Sequence, residues 1–192
     1  MVHRMALDLF DRSGRASRRA VVTALHDVLN AAARRPMLFG PLGLADTVEG
    51  RFESVTLHTI VLVRRLNALP APGPDIAVDL LDAVFANFEL ALRVIGIGDV
   101  SVPKRMKKFA TSFYGRVGAY EEALAAGDRQ ALSTALLRNA YAGEVPPETA
   151  DRLAAEAFAL DRQLDGLALA EVVAGRLPWL RETAGEVSHE QA

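Results

Sequence analysis

Positively charged side chains are the residues of this 192-residue chain whose spacing most clearly suggests a chemical role. All three lysines lie within residues 96–116, GIGDVSVPKRMKKFATSFYGR, which contain no acidic residue after Asp99. At about 100° per residue, a helix through this segment has five cations on one side. They are Lys104, Arg105, Lys107, Lys108 and Arg116. Because like charges at (i, i+3) and (i, i+4) spacing repel one another, the pattern favours a docking surface for nucleic acid, lipid headgroups or an acidic protein.

The same cations have an ordinary alternative, in which acidic residues elsewhere in the fold pair with them and the helix surface is simply solvated. Ser101 is a candidate N-cap and Pro103 suits a first turn, so we predict a helix from about Val102 to about Tyr120. Its opposite side is apolar and is expected to pack on the core. Tyr114, next to Phe113 in this helix, is a further candidate for contact with a partner or with the core.

Residue patterns typical of enzymes are sparse. The sequence has no cysteine, no HExxH, no GxSxG and no GxxxxGK[ST], and its four histidines are scattered. Asp75, Asp79, Asp82 and Glu89 line one side of a predicted helix, where they suit acid-base or metal chemistry, although a solvated stripe is the preferred interpretation. A hydrolase that uses His58 with Asp79 or Asp82 requires these residues to share a cleft. We predict no catalytic residue, metal site or cofactor.

Composition indicates one domain. With 51% apolar residues, the chain can bury one substantial core. Net charge is only −2, but residues 1–119 hold 16 basic and 11 acidic side chains, whereas residues 120–192 hold 6 and 13. Charges interrupt the first fifteen residues, so we expect no secretory signal. No apolar run reaches the roughly 18 residues that a membrane-spanning helix requires.

Hydrophobic periodicity predicts an all-α fold, a single compact domain of about six helices over residues 16–180. The helices are expected at about 16–33, 46–69, 75–95, 102–120, 128–141 and 148–175. Residues 1–15 are predicted to form a flexible arm and residues 181–192 a disordered tail. The helix at 46–69 has apolar residues on two sides, so it is expected to be central in the domain.

An unusually apolar loop joins the first two predicted helices. Residues 36–44, PMLFGPLGL, hold two prolines and two glycines that should keep the backbone irregular. Five apolar side chains in this loop would be costly to leave in water, so the loop either packs on the core or offers a partner an apolar surface. Packing is the preferred interpretation.

Several motifs together resemble the ubiquinol-cytochrome c chaperone family. They are DTVEGRF at 46–52, Leu57-His58, Arg64-Arg65-Leu66, GIGD at 96–99 followed by Val102 and Lys104, and FYGR at 113–116. The resemblance covers roughly residues 20–175, and the order and spacing of the strings make it specific.

The resemblance implies an assembly factor and not an enzyme. Members of the family help newly made cytochrome b enter the ubiquinol-cytochrome c reductase complex, and mitochondrial relatives also associate with the ribosome. The partners implied here are cytochrome b or another reductase subunit, with the ribosome or a membrane surface as the anionic docking partner. The implied location is the cytoplasm, at the inner face of the membrane. A general RNA- or lipid-binding module without a dedicated client is the alternative.

The other motif residues are expected to be structural. Asp46, Gly50 and Arg51 should fix the start of the second predicted helix, with Gly50 supplying backbone freedom and Asp46 pairing with backbone amides or a cation. The remaining members of this set are Phe52, His58, Gly96, Gly98, Asp99 and Gly115. His58 is interpreted as a histidine that fills a helix-helix contact, with hydrogen bonding to a partner as the alternative.

Overall fold

Helices form all the regular structure in the described part of the chain, which in this computed structural model comprises the backbone of residues 2–177 and the side chains of residues 17–177. They are α1 (Val2–Ala32), α2 (Pro36–Phe39), α3 (Val48–Ala68), α4 (Gly73–Val94), α5 (Val102–Ala126), α6 (Arg129–Asn139), α7 (Pro147–Asp165) and α8 (Leu169–Val173). Six of these helices are longer than one or two turns. The predicted all-α fold of about six helices is therefore confirmed.

Three helix boundaries differ from the prediction. The backbone of residues 2–15 is helical, so α1 begins well before Ala16. α5 continues past Tyr120 to Ala126 and ends at Gly127, whose φ of +67° suits the left-handed conformation that terminates many helices. The single helix predicted at 148–175 is divided into α7 and α8, because Gly166 ends α7. The predicted tail at 181–192 lies outside the described residues.

α3 is the central helix, as its two apolar sides predicted. Every residue from Phe52 to Val63 is buried, including Thr56, His58 and Thr59. α1, α4, α5 and α7 all pack against it. Because α3 is covered on all these sides, the surfaces available to a partner belong to the surrounding helices. No helix among residues 2–177 is both long enough and apolar enough to cross a bilayer.

The apolar loop packs on the core. Its first residues form the short helix α2, and Leu38, Leu42 and Leu44 are buried. The Tyr141 hydroxyl donates a hydrogen bond to the Leu42 carbonyl oxygen at 2.5 Å, which ties the loop to the end of α6. Met37 and Phe39 are partly buried against the same core. The loop is therefore a structural part of the domain and not a free apolar surface.

Residues of the DTVEGRF motif build the start of α3. Thr47 is the N-cap, and its side-chain oxygen accepts a hydrogen bond from the Gly50 amide at 3.1 Å. Asp46 accepts a hydrogen bond from Arg51 Nε at 2.7 Å, so its partner is a cation, and this pairing lowers the pKa of Asp46. Gly50 is helical and buried. Glycine is required here because the site has no room for a side chain, and not because the backbone needs freedom. A Cβ at position 50 would overlap the Ala45 carbonyl oxygen and lie 2.9 Å from the Ala45 carbonyl carbon.

We predict that Gly50→Ala lowers the free energy of unfolding by about 1–3 kcal/mol, because backbone atoms of Ala45 would have to move away from the new methyl group. Gly118→Ala is the matched control. Gly118 is also helical, but a Cβ there meets nothing within 4 Å, so the control should raise stability by about 0.5–1 kcal/mol through helix propensity. Urea denaturation measures both. Equal effects of the two substitutions would contradict the close approach at Gly50.

Candidate docking site

Four exposed cations occupy the first two turns of α5. Lys104, Arg105, Lys107 and Lys108 are all exposed, and no carboxylate of the described residues lies within 4.0 Å of their charged nitrogens. We call these four residues the cationic face. The alternative in which acidic residues of the fold neutralise them is wrong for these four positions. The face thus retains its full positive charge toward solvent.

The cationic face lies at the amino end of α5, where positive charges are electrostatically unfavourable. The first turn of α5 contains no acidic residue, and Ser101, although it occupies the predicted N-cap position, makes no capping hydrogen bond with its side chain. The amino end of a helix carries partial positive charge, so cations there are unfavourable by a few tenths of a kcal/mol each. Mutual repulsion at (i, i+3) and (i, i+4) spacing adds to this cost. The fold gains no stability from this arrangement, and binding of an anionic partner would offset the repulsion between these charges.

Arg116 is not an unpaired cation of this surface, contrary to the prediction. Its Nε donates to Glu53 Oε2 at 2.6 Å, and its Nη2 donates to Glu53 Oε1. Arg116 also donates to the Ser112 carbonyl oxygen at 2.8 Å, and its guanidinium lies 5.5 Å from the centroid of the Phe52 ring. The side chains of Arg116 and Glu53 are only 14% and 8% exposed. This arginine therefore joins α5 to α3.

Burial controls the ionisation of Glu53. Removal from water raises the pKa of Glu53, and the hydrogen bonds and charge of Arg116 lower it by less. The carboxylate therefore depends on Arg116 to remain ionised in this environment. Sequence reasoning missed the role of Glu53, although this residue directly follows Phe52, the last residue of the DTVEGRF motif. An acidic residue within the predicted buried stretch of the central helix was the feature that could have identified it.

An aromatic cluster joins α3, α4 and α5. The Phe52 ring stacks on Phe109 with centroids 4.7 Å apart and lies 5.2 Å from Phe88. Phe85 meets Phe113 edge-on at 5.3 Å. These offset and edge-on arrangements are favourable ring geometries. The motif residue Phe52 and the apolar side of α5 therefore hold α5 at a fixed rotation, which turns the cationic face outward.

Tyr114 borders the cationic face and is 62% exposed. Its ring stacks on Phe85 with centroids 6.3 Å apart and meets Phe113 edge-on at 5.5 Å. One side of the ring is thus held by the domain and the other remains open. Tyr114 combines both predicted roles, since it contacts the core and is available to a partner.

The GIGD turn between α4 and α5 depends on Gly96 and Asp99. Gly96 has a φ of +84°, which favours glycine. Asp99 forms an ion pair with Arg93, which also pairs with Glu89 at 2.8 Å. Gly98 and Gly115 are different, because neither has a positive φ and a Cβ at either position meets nothing within 4 Å. Packing within the domain therefore gives no reason for glycine at these two positions.

Three exposed aliphatic residues surround this turn and were not predicted as functional. Val94, Ile95 and Val100 are 77%, 53% and 96% exposed. We call these three residues the apolar tip. Aliphatic residues on both sides of a glycine-containing turn were the sequence feature that could have identified the apolar tip.

His58 is a core residue. It has no exposed surface, and its Nδ1–H donates to the Ser54 carbonyl oxygen at 2.8 Å. Burial lowers the pKa of His58 to about 4, so the ring is neutral at physiological pH. Burial of His58 in the central helix fits its interpretation as a structural residue and leaves no surface for a hydrogen bond to an outside partner.

The hydrolase hypothesis fails on the same observation. Asp79 pairs with Arg18 at 2.7 Å on the surface and Asp82 is exposed, whereas His58 is inaccessible to a substrate. Within the described part of the chain, no group of three or more histidines and carboxylates is arranged to hold a metal ion. The acidic side of α4 is a partly ion-paired surface.

Comparison with known proteins identifies one family and one solved structure. The family model described as ubiquinol-cytochrome C chaperone matches residues 41–179. The crystal structure of the Cbp3 homolog from Brucella abortus is similar, with a TM-score of 0.78 and 35% sequence identity over 90% of this chain and 94% of that chain. No curated protein matches the chain. The resemblance stated from the sequence motifs is confirmed, although the family match begins at residue 41 and not near residue 20.

We predict that Arg116→Met lowers the free energy of unfolding by about 3–5 kcal/mol, because Glu53 would be left buried without its cation. Adding Glu53→Leu should restore most of this loss, since the second substitution removes the unpaired charge. A double-mutant cycle measured by thermal and urea denaturation gives the coupling energy. A cost below about 1 kcal/mol for Arg116→Met would contradict a structural role for the pair.

Proposed function

Because the chain belongs to the ubiquinol-cytochrome c chaperone family, we propose that it is an assembly chaperone for the ubiquinol-cytochrome c reductase complex. Its client is newly made cytochrome b, a very apolar membrane protein. The chaperone works in the cytoplasm at the inner face of the membrane. It docks through the cationic face on an anionic surface, provided by the ribosome or the membrane.

The cationic face is the observation that carries the docking proposal. Lys104, Arg105, Lys107 and Lys108 lie within five consecutive positions of one helix, are exposed and have no carboxylate partner among the described residues. Phosphates of RNA and of lipid headgroups attract such a surface, and salt weakens the attraction. Charge complementarity therefore supports a ribosome or a membrane as the docking partner.

In this proposal, the surface that binds the client lies beside the cationic face. The apolar side chains of the loop at 36–44 and the sides of α3 pack within the domain and offer a client no apolar surface. Tyr114 and Leu90 are exposed on α5 and α4, 62% and 59% respectively. An open aromatic ring beside cations suits a client that leaves the ribosome or enters the membrane at the docking point. We propose that cytochrome b contacts the domain at Tyr114 and Leu90.

A general RNA- or lipid-binding module is the second candidate, because the same cationic face would bind polyanions without any dedicated client. The two functions differ in what happens when the protein is removed. A dedicated chaperone is required for the reductase, whereas a general module is not. Deleting the gene and measuring cytochrome b and assembled reductase in membranes distinguishes them.

We predict that reversing Lys104, Lys107 and Lys108 to Glu reduces assembled reductase to the level of the deletion strain. The cause is repulsion between the reversed face and the anionic surface on which the chaperone docks. Blue native electrophoresis of membranes and the haem b absorbance difference spectrum measure the assembled complex.

The matched control reverses Arg138, Arg162 and Arg176 to Glu. These arginines are also exposed, lie on other parts of the domain and give the same change in net charge. Assembly should be preserved in this control. Normal reductase levels in the lysine variant, or equal losses in both variants, would contradict docking through the cationic face.

A further inference from the structure

The apolar tip is the most exposed aliphatic group of the described residues and lies in a turn. Val94 ends α4, Ile95 follows it, and Val100 precedes α5. Their exposures of 77%, 53% and 96% mean that neither the core nor a neighbouring helix covers them. Leu90, one turn before Val94 on α4, is also exposed at 59%. Exposed aliphatic residues grouped in this way mark an interaction surface more often than singly scattered ones do.

The pairing of α4 with α5 places the apolar tip beside the cationic face. Phe88 lies 5.8 Å from Phe109, and Phe85 lies 5.3 Å from Phe113, so the two helices run antiparallel in a fixed register. Val94 is about 9 Å beyond Phe88 along α4, and Lys104 is about 8 Å before Phe109 along α5. The two residues are therefore at the same level of the helix pair. The apolar tip and the cationic face share one end of the domain.

The net charge of this end is positive. From Glu89 to Lys108 the chain holds five basic and two acidic residues. Both acidic residues, Glu89 and Asp99, are ion-paired with Arg93. The cations of the cationic face consequently act without a competing free carboxylate in this segment.

We infer that this end of the domain is a peripheral membrane anchor that binds anionic phospholipid. The apolar tip inserts among the acyl chains at the bilayer surface, and the cationic face binds the phosphates of the headgroups. This inference rests on the proposed function and selects the lipid bilayer as the anionic surface.

Lipid accounts for the apolar tip as well as for the cationic face, whereas RNA accounts for the cationic face and the open Tyr114 ring but not for the apolar tip. Membrane-surface anchors combine aliphatic side chains that enter the interface with basic residues that meet anionic headgroups. RNA-binding surfaces combine basic residues with aromatic or polar groups that stack on bases or hydrogen-bond with them. Val94, Ile95 and Val100 offer no stacking or hydrogen bonding to a base. Their exposure beside the cations therefore favours a bilayer.

Vesicle flotation of the full chain tests the inference. The protein should float with vesicles of phosphatidylcholine containing about one third phosphatidylglycerol, and much less with phosphatidylcholine alone. Replacing Val94, Ile95 and Val100 by Ser should weaken binding by roughly tenfold or more, although no charge is changed. Reversing Lys104, Lys107 and Lys108 to Glu should abolish it. The matched control, Val48→Ser with Val78→Ser, changes exposed valines elsewhere and should bind as the unmodified chain does.

Insertion of the apolar tip into the bilayer can be observed with a fluorophore on one introduced cysteine, because the chain has no cysteine of its own. An environment-sensitive fluorophore on Val100→Cys should shift to the blue on addition of anionic vesicles and should be quenched by lipids carrying a quencher on the acyl chain. The same fluorophore on Gln130→Cys, an exposed position of α6, should not respond. An unchanged spectrum at position 100 in the presence of vesicles would overturn insertion. All replaced side chains are exposed, and circular dichroism melts would verify that the variants fold.

The outcomes separate this inference from the proposed function. If the chain binds RNA but not anionic vesicles, and lysine reversal still prevents reductase assembly, the lipid anchor is wrong and docking on the ribosome stands. If vesicle binding depends on both the apolar tip and the cationic face while reductase assembly needs neither, the anchor is right and its proposed use in assembly is wrong. Vesicle binding that is unchanged by the three serine substitutions would overturn the role of the apolar tip.

Discussion

The buried ion pair between Glu53 and Arg116 is the constraint on which the arrangement of α3 and α5 depends. The Glu53 carboxylate depends on Arg116 in this environment, because burial alone disfavours ionisation of Glu53. The two-point contact fixes both the position of α5 along α3 and its rotation. Arg116 also reaches the Asn139 carbonyl oxygen at 3.5 Å, which adds the end of α6 to the same junction.

This junction divides α5 into two sides with different roles. Phe109 and Phe113 enter the aromatic cluster with Phe52 and Phe88, and this apolar contact keeps one side of α5 against the domain. The opposite side retains the four cations at an electrostatic cost that the domain does not relieve. A surface that is costly to the isolated protein but rigidly held is well suited to binding, because the partner meets a pre-organised arrangement of charge. The sequence motifs of the family lie on both helices of this junction.

The sequence predicted the parts of this architecture that depend on periodicity. Apolar spacing identified α3 as central and assigned the apolar side of α5 to the core, and charge spacing identified the cationic face. Charge spacing wrongly grouped Arg116 with the exposed cations of α5. The angle of a residue around its helix cannot show that Glu53, far away in the chain, lies against Arg116 in the fold. Sequence reasoning also attributed Gly50 to backbone freedom, since the approach of Ala45 is a tertiary contact. The apolar tip was missed because Val100 lies outside the predicted helices, and Val94 and Ile95 lie at the end of one, where periodicity does not show which side chains another helix covers.

Site-specific photocrosslinking in cells tests the central claim, that the outer side of α5 meets the reductase during assembly. A photoreactive phenylalanine analogue would replace Tyr114, with Gln130 on α6 as the control position. After irradiation, the captured proteins are identified by mass spectrometry. The account predicts a cytochrome b adduct from position 114 that is absent at position 130 and lost when Lys104, Lys107 and Lys108 are reversed to Glu. Absence of any reductase subunit at position 114, or equal capture at both positions, would contradict it.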